Sequence, residues 1–384
     1  MTGWAGWAED QLDGIRLAGQ WRRPRDLDAD GPVARLDGRP VVTFASNDYL
    51  GLTRHPAVAA AAHDAIDRWG TGAGSARLIT GSRPVHSQLE TELADWKRTD
   101  AAVLFTTGYA ANLGVLSTFG GPGTTILSDE LNHASIIDGA RHARSRVLVY
   151  RHADLIHLAA LLDDVDRSHP GDRVLVVSDS VFSMDGDVAD LGGLLALCRR
   201  HDALLVIDEA HAVLGPDLPG DVGALPVLRV GTLSKALGSL GGFVAGPDAL
   251  VELLRNRART FIFTTASTPA DAAAARAALA VVRSAEGDRL RATLRSHVDR
   301  LRPGHPSPIV AVVLGSEDRA VKTAAALLDA GLFVPAIRPP TVAPGTSRLR
   351  VTLSAAHTAD QVDRLLDAFD GLGVDVAAGA TDAS

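Results

Sequence analysis

The sequence is poor in the features that mark a protein made for the outside of a cell or for a membrane. It holds one cysteine, Cys198, among 384 residues. No internal disulfide can form, which suits a reducing, cytoplasmic setting. No apolar run approaches the roughly 18–20 residues needed to cross a bilayer. The longest, such as Ile309–Leu314, have the length of a strand. Glu9, Asp10 and Asp13 stand where a secretory signal needs an apolar core. Positive charge is also scarce: the formal net charge of -8 argues against a broad nucleic-acid-binding face. What remains is a chain with 46% hydrophobic and 22% charged residues, the balance of a globular protein. Its length suits two domains and a core that needs neither disulfide nor metal staples.

Residues 4–23 place Trp4, Trp7, Leu12, Ile15 and Trp21 among charges, the pattern of an amphipathic arm or helix. Residues 24–40 are rich in Pro, Asp and Gly and read as loop and turn. From about residue 55, helices alternate with short apolar strands. Helices are expected over 56–69, 85–97, 154–165 and 191–201. Strands are expected at Ala102–Phe105, Thr125–Leu127, Arg146–Tyr150, Arg173–Val177, Ala203–Ile207 and Gly242–Ala245. Such alternation of buried strands with helices predicts an α/β fold with a mostly parallel sheet covered on both faces. Past Pro303, Pro306 and Pro308 the pattern changes to strand, helix, short strand, strand and helix, a small α+β domain. Pro335 in the short strand points to a sheet edge.

Open α/β sheets bind ligands beyond the carboxyl ends of their strands, so the residues after each strand are the ones to read. After Phe105 comes Thr106-Thr-Gly-Tyr-Ala-Ala-Asn112, where the amides of Gly108 and Tyr109 open a helix and can hold a phosphate. After Leu127 comes a polar loop with His133, able to stack on a planar ring. After Val177 comes another, with Ser183. After Ile207 comes Asp208-Glu-Ala-His211; a carboxylate at a buried strand end needs a cation or hydrogen bonds. The same four letters begin a helicase box, but the chain lacks the G-x-x-x-x-G-K-[ST] loop that such an enzyme needs. After Val230 comes Gly231-Thr-Leu-Ser-Lys235, a lysine among small and apolar neighbours, the setting that makes an amine nucleophilic. A phosphate cup, a stacking imidazole, an acid for a ring nitrogen and an amine for an aldehyde are together what pyridoxal 5′-phosphate (PLP) requires.

With these segments in view, the chain resembles the α-oxoamine synthases of PLP fold type I. The resemblance also rests on Phe44-Ala-Ser-Asn-Asp-Tyr-Leu-Gly51, Asn132-His-Ala-Ser135, Val181-Phe-Ser-Met-Asp-Gly-Asp187 and Gly345-Thr-Ser-Arg-Leu-Arg350, and it spans about residues 10–370. It implies a large PLP-binding domain over 46–285, an N-terminal arm with a small-domain segment over 1–45, and a small α+β domain over 286–384. It implies that Lys235 holds the cofactor as a Schiff base, Asp208 pairs with the ring nitrogen, His211 with the ring 3′-oxygen, and His133 stacks on the ring. Gly108, Tyr109 and Thr232 would take the phosphate, and Ser183 would line the cofactor. Arg350 would bind the amino-acid carboxylate, Thr341 and Arg22 would contact substrate, and Asn47 would lie near the reacting carbon. Thr264 and Thr265 would reach the phosphate of a partner subunit in a homodimer. The segment Ile337-Arg-Pro-Pro-Thr-Val342 favours the branch that joins L-alanine to a pimeloyl thioester, on CoA or a carrier protein, over relatives that use glycine or serine. A member that had lost catalysis would lack the lysine or the ring-nitrogen acid; both are present. Ala212 follows His211 where the family often has Gly or Ser, and the stretch from there to Lys235 is short.

Overall fold

A computed structural model describes residues 3–219 and 222–376. Helix α1 (Trp4–Leu17) opens the chain, in keeping with the amphipathic pattern. Residues 24–40, expected as loop and turn, instead carry most of an antiparallel meander of β1 (Leu27–Asp30), β2 (Val33–Leu36) and β3 (Arg39–Thr43). The reason it escapes the sequence pattern is physical. β1 buries no residue and β2 buries only Ala34 and Leu36, so the alternation that betrays a half-covered strand is too short to read.

The chain falls into two compact units. One comprises residues 3–45, 311–351 and 364–376; the other comprises 46–219, 222–310 and 352–363. The sequence reading sets the second boundary after residue 285, whereas the larger unit continues to residue 310. Helix α11 (Ala285–Leu301) accounts for the difference: it buries Leu294, Val298 and Leu301, and its His297 Nε2 meets the carbonyl of His357 at 2.9 Å. Both ends of that bond lie in the larger unit.

Helices α2 (Pro56–Trp69) and α3 (Pro84–Lys97) begin the larger unit, each with proline in its first turn, where the missing N–H costs nothing. Seven strands then form its sheet: β4 (Ala101–Phe105), β5 (Thr124–Asp129), β6 (Arg146–Tyr150), β7 (Arg173–Asp179), β8 (Leu204–Asp208), β9 (Val227–Thr232) and β10 (Gly242–Gly246). Their order is β4-β10-β9-β8-β7-β5-β6. All neighbours pair in parallel except β10, which runs antiparallel to both β4 and β9. Both faces are dry. Leu175 and Val177 of β7 pack into one core with helices α4 (Gly108–Phe119) and α5 (Ala134–His142). Val174 and Val176 pack into the other with α6 (Leu155–Ser168) and α7 (Leu191–Arg200). The period-two alternation of a strand thus feeds two cores from one apolar run.

In the smaller unit the expected strand over 333–337 is two short pieces, β12 (Leu332–Phe333) and β13 (Ala336–Ile337). Pro335 between them has no N–H for a ladder. β12 extends the meander in parallel to β3, and β13 is the edge strand beside β14 (Ser347–Thr352). Among the described residues no helix is long and apolar enough to cross a membrane.

Candidate active site

Three acids end three neighbouring strands of the large sheet: Asp129 on β5, Asp179 on β7 and Asp208 on β8. Asp179 and Asp208 are direct register partners, and all three are nearly inaccessible to solvent. Each is handled differently. Asp129 and Asp187 clasp His152 at 3.0 and 2.8 Å. Asp179 accepts the backbone N–H of His133 at 2.8 Å. Burial pushes Asp179 well above the ordinary carboxylate range, and the facing Asp208 adds to that. Asp208 accepts from Asn112 Nδ2 at 2.7 Å and from the N–H of Ala210 at 2.8 Å. Asp179 escapes a reading that looks for motifs; the signal that finds it is register, since a second acid at the same level of the next parallel strand shares the rim.

Lys235 follows β9. Its Nζ lies 2.8 Å from His211 Nε2. His211 Nδ1 meets Tyr49 Oη at 2.5 Å, and Tyr49 Oη donates to Asn47 Oδ1 at 3.2 Å. Asn47 therefore joins Lys235 through two rings, one of them a tyrosine that the sequence reading assigned no role. The loop beyond His211 turns at once, with the Val213 N–H on the His211 carbonyl at 2.9 Å and the Gly215 N–H on the Ala212 carbonyl at 3.2 Å.

The phosphate cup forms at the start of α4. Thr107 caps the helix by accepting the Ala110 N–H at 3.0 Å, which leaves the first-turn amides of Gly108 and Tyr109 without partners in the helix. A methyl group added to Gly108 would touch Thr232 Cβ at 3.5 Å, so these amides and the Thr232 hydroxyl border one small space. Gly242 of β10 makes the approach possible: a Cβ there would lie 2.4 Å from the Thr107 carbonyl oxygen. His133 caps α5, and its ring meets that of Tyr109 edge to face at 6.5 Å. Burial by neighbouring protein atoms holds its imidazole below its ordinary pKa, opposed by Asp208 and reinforced by Lys235, although the residue as a whole is exposed. Ser183 sits half-buried in the turn after β7.

Thr264 and Thr265 lie between α9 (Arg259–Ile262) and α10 (Pro269–Val282), half-buried and exposed respectively, next to exposed Phe263. Arg22, Thr341 and Arg350 belong to the smaller unit. There Arg22 borders a cavity of about 280 Å³ with Leu12, Ile15, Trp21 and Pro340. Arg350 is buried, and its N–H meets the Pro335 carbonyl at 3.1 Å.

The family model for aminotransferases of class I and II matches residues 39–369. The 8-amino-7-oxononanoate synthase of Anaeromyxobacter dehalogenans is 48% identical over 94% of each chain. Among solved structures, a serine palmitoyltransferase from S. paucimobilis, with PLP and myriocin bound, superposes with a TM-score of 0.88 at 30% identity, covering 95% of this chain and 96% of that one. An 8-amino-7-oxononanoate synthase from Francisella tularensis gives 0.71 at 25% identity, covering 87% and 98%.

Proposed function

We infer the reaction from a premise that the match over residues 39–369 supplies: the chain belongs to the aminotransferase class I and II family. It is a PLP-dependent C-acyltransferase. It condenses L-alanine with a pimeloyl thioester to give 8-amino-7-oxononanoate, CO2 and free thiol, a step of biotin biosynthesis. The observation that carries this reading is the 48% identity across 94% of the chain to an 8-amino-7-oxononanoate synthase.

The residues on the rim fit the cofactor. First-turn amides suit a phosphate, a buried acid held by neutral donors suits a protonated ring nitrogen, and Lys235 stands beside His211. When bound, PLP supplies an electron sink for the carbon next to the amino group. The chain supplies the rest. Asp208 would keep the ring nitrogen protonated, Gly108, Tyr109 and Thr232 would hold the phosphate, and Ser183 would line the cofactor. His211 would orient the 3′-oxygen. Lys235 removes the Cα proton of alanine at Nζ and returns one later. His133 would cover the ring and offer a hydrogen bond to the oxygen that becomes the ketone. For Arg350 on the alanine carboxylate, Thr341 and Arg22 on substrate, and Asn47 near the reacting carbon, motif position supports the role.

The working unit is a homodimer in this reading. Leu78, Ile79 and Phe263, respectively 56%, 73% and 69% exposed, are large apolar side chains that a second copy would cover, and Phe263 directly precedes Thr264 and Thr265. A cytoplasmic setting suits the lone thiol of Cys198, which burial pushes up to about 12.

Product mass spectrometry with alanine, glycine or serine, each with pimeloyl-CoA and palmitoyl-CoA, tests the assignment. Alanine with pimeloyl-CoA should give 8-amino-7-oxononanoate. Turnover of serine with palmitoyl-CoA and none with alanine would instead follow the structural likeness to serine palmitoyltransferase and overturn the reading. The Lys235→Ala protein should lose both turnover and the near-visible absorbance of the bound cofactor.

A further inference from the structure

Two residues with no assigned role join Asp208 to His133. Asn112 on α4 and Ser135 on α5 are 1% and 0% exposed. Asn112 Nδ2 donates to Asp208 Oδ2 at 2.7 Å and to Ser135 Oγ at 2.9 Å. An amide nitrogen carries two hydrogens, so both are used. Ser135 Oγ, an acceptor in that bond, has one hydrogen of its own to place, and His133 Nδ1 lies 2.8 Å away. The same Nδ1 also accepts the backbone N–H of Ser135 at 3.2 Å. A nitrogen that accepts needs its lone pair, so the ring hydrogen sits on Nε2. Turning the Asn112 amide over would aim its carbonyl at the Asp208 carboxylate. In the orientation found, Asn112 Oδ1 is buried with no hydrogen-bond partner. Leaving that acceptor unmade is costly, and it occurs where the two N–H donors of the same amide do something no apolar side chain could.

We propose that Asn112 and Ser135 are positioning residues that fix His133 as a neutral imidazole protonated at Nε2, the donor for the acyl oxygen, and that tie its orientation to that of the Asp208 carboxylate. The proposal rests on the placement of His133 over the cofactor ring given above. A ring whose Nδ1 already accepts two hydrogen bonds resists protonation there, so it neither becomes a cation nor offers Nδ1–H. The burial that lowers the pKa of His133 acts in the same direction.

Nitrogen-15 NMR of protein labelled in its histidine rings reads the tautomer directly, with the His133 signals identified by their loss in His133→Gln. In the unaltered holoenzyme these signals should show the Nε2–H form. Ser135→Ala should move the tautomer ratio roughly fivefold toward Nδ1–H, the worth of one ordinary hydrogen bond. Ser135→Thr, which keeps the hydroxyl, should restore it. Asn112→Ala should shift the ratio in the same direction by less. In Ser135→Ala, kcat should fall while the KM for alanine holds; a merely structural defect would lower thermal stability and move both. Nδ1–H in the unaltered protein, or no change of ratio in Ser135→Ala, overturns the proposal; should that variant fail to fold, the unaltered protein's tautomer and Ser135→Thr still decide it. The expected tautomer in a protein that shows no near-visible cofactor absorbance would break the functional reading and leave the relay intact.

Discussion

Asp208 and Glu209 are adjacent acids, both buried at 5% and 7% exposure, and the protein treats them in opposite ways. Glu209 meets Lys97 Nζ at 2.7 Å and Arg229 Nη2 at 2.6 Å. Burial works against its charge, yet the two cations prevail and hold its pKa below the ordinary value. Among the described residues, Asp208 receives only neutral donors, the amide of Asn112 and the N–H of Ala210. A buried acid matched by cations of its own chain is complete as it stands. One that is given N–H donors and no ion pair still has a charge to offer, and the natural recipient is a cation that arrives with a ligand. The neighbouring residues therefore separate structure from function more sharply than burial does.

The contrast predicts different losses. Asp208→Asn keeps the shape and removes the charge; turnover at saturating cofactor should fall on the order of 10²–10⁴-fold, with the melting temperature nearly unchanged. Glu209→Gln should do the reverse. It leaves two buried cations facing each other and should cost about 3–5 kcal/mol of stability, seen in denaturant unfolding, while the enzyme that remains folded keeps most of its kcat. If Glu209→Gln spared stability and abolished turnover, the contrast would be wrong.

His152 offers a third case, a cation between two acids. Its side chain is 24% exposed. Burial opposes its charge, but Asp129 and Asp187 outweigh that and raise its pKa to about 10. Glu130 also faces it, accepting the His152 backbone N–H at 2.8 Å. A folded-state pKa above the unfolded value of about 6.5 means that the stabilisation is complete below that pH and fades as pH rises through 10. His152→Gln should therefore cost about 1.5–3 kcal/mol near pH 6 and progressively less toward alkaline pH. A difference that stayed flat across that range would remove the imidazolium from the account.

Much of the large sheet and its rim is legible in the sequence. The apolar runs of β4 through β8 and β10 needed only their residue types and spacing, Asp208 and His211 announced themselves by following such a run, and Lys235 by its small and apolar neighbours. The three-stranded meander did not, because strands covered on one side by a few residues lack a period long enough to recognise. Nor did the partners of the site residues. Asn112 and Asp208 lie 96 positions apart, and Tyr49 and His211 lie 162 apart. Sequence shows which side chains carry chemistry; register and helix placement decide which others hold them still.

The antiparallel strand β10 lies between β4 and β9 and, among the described residues, is the sole strand paired with β4 in its sheet. During synthesis, the apolar run Ala101–Phe105 leaves the ribosome long before Gly242–Gly246 exists. At ~5–20 residues per second, its ladder groups wait on the order of ten seconds for a partner. An open apolar edge of that kind is a template for wrong pairing, so a nascent chain stalled before residue 242 is the form of this protein most in need of a chaperone.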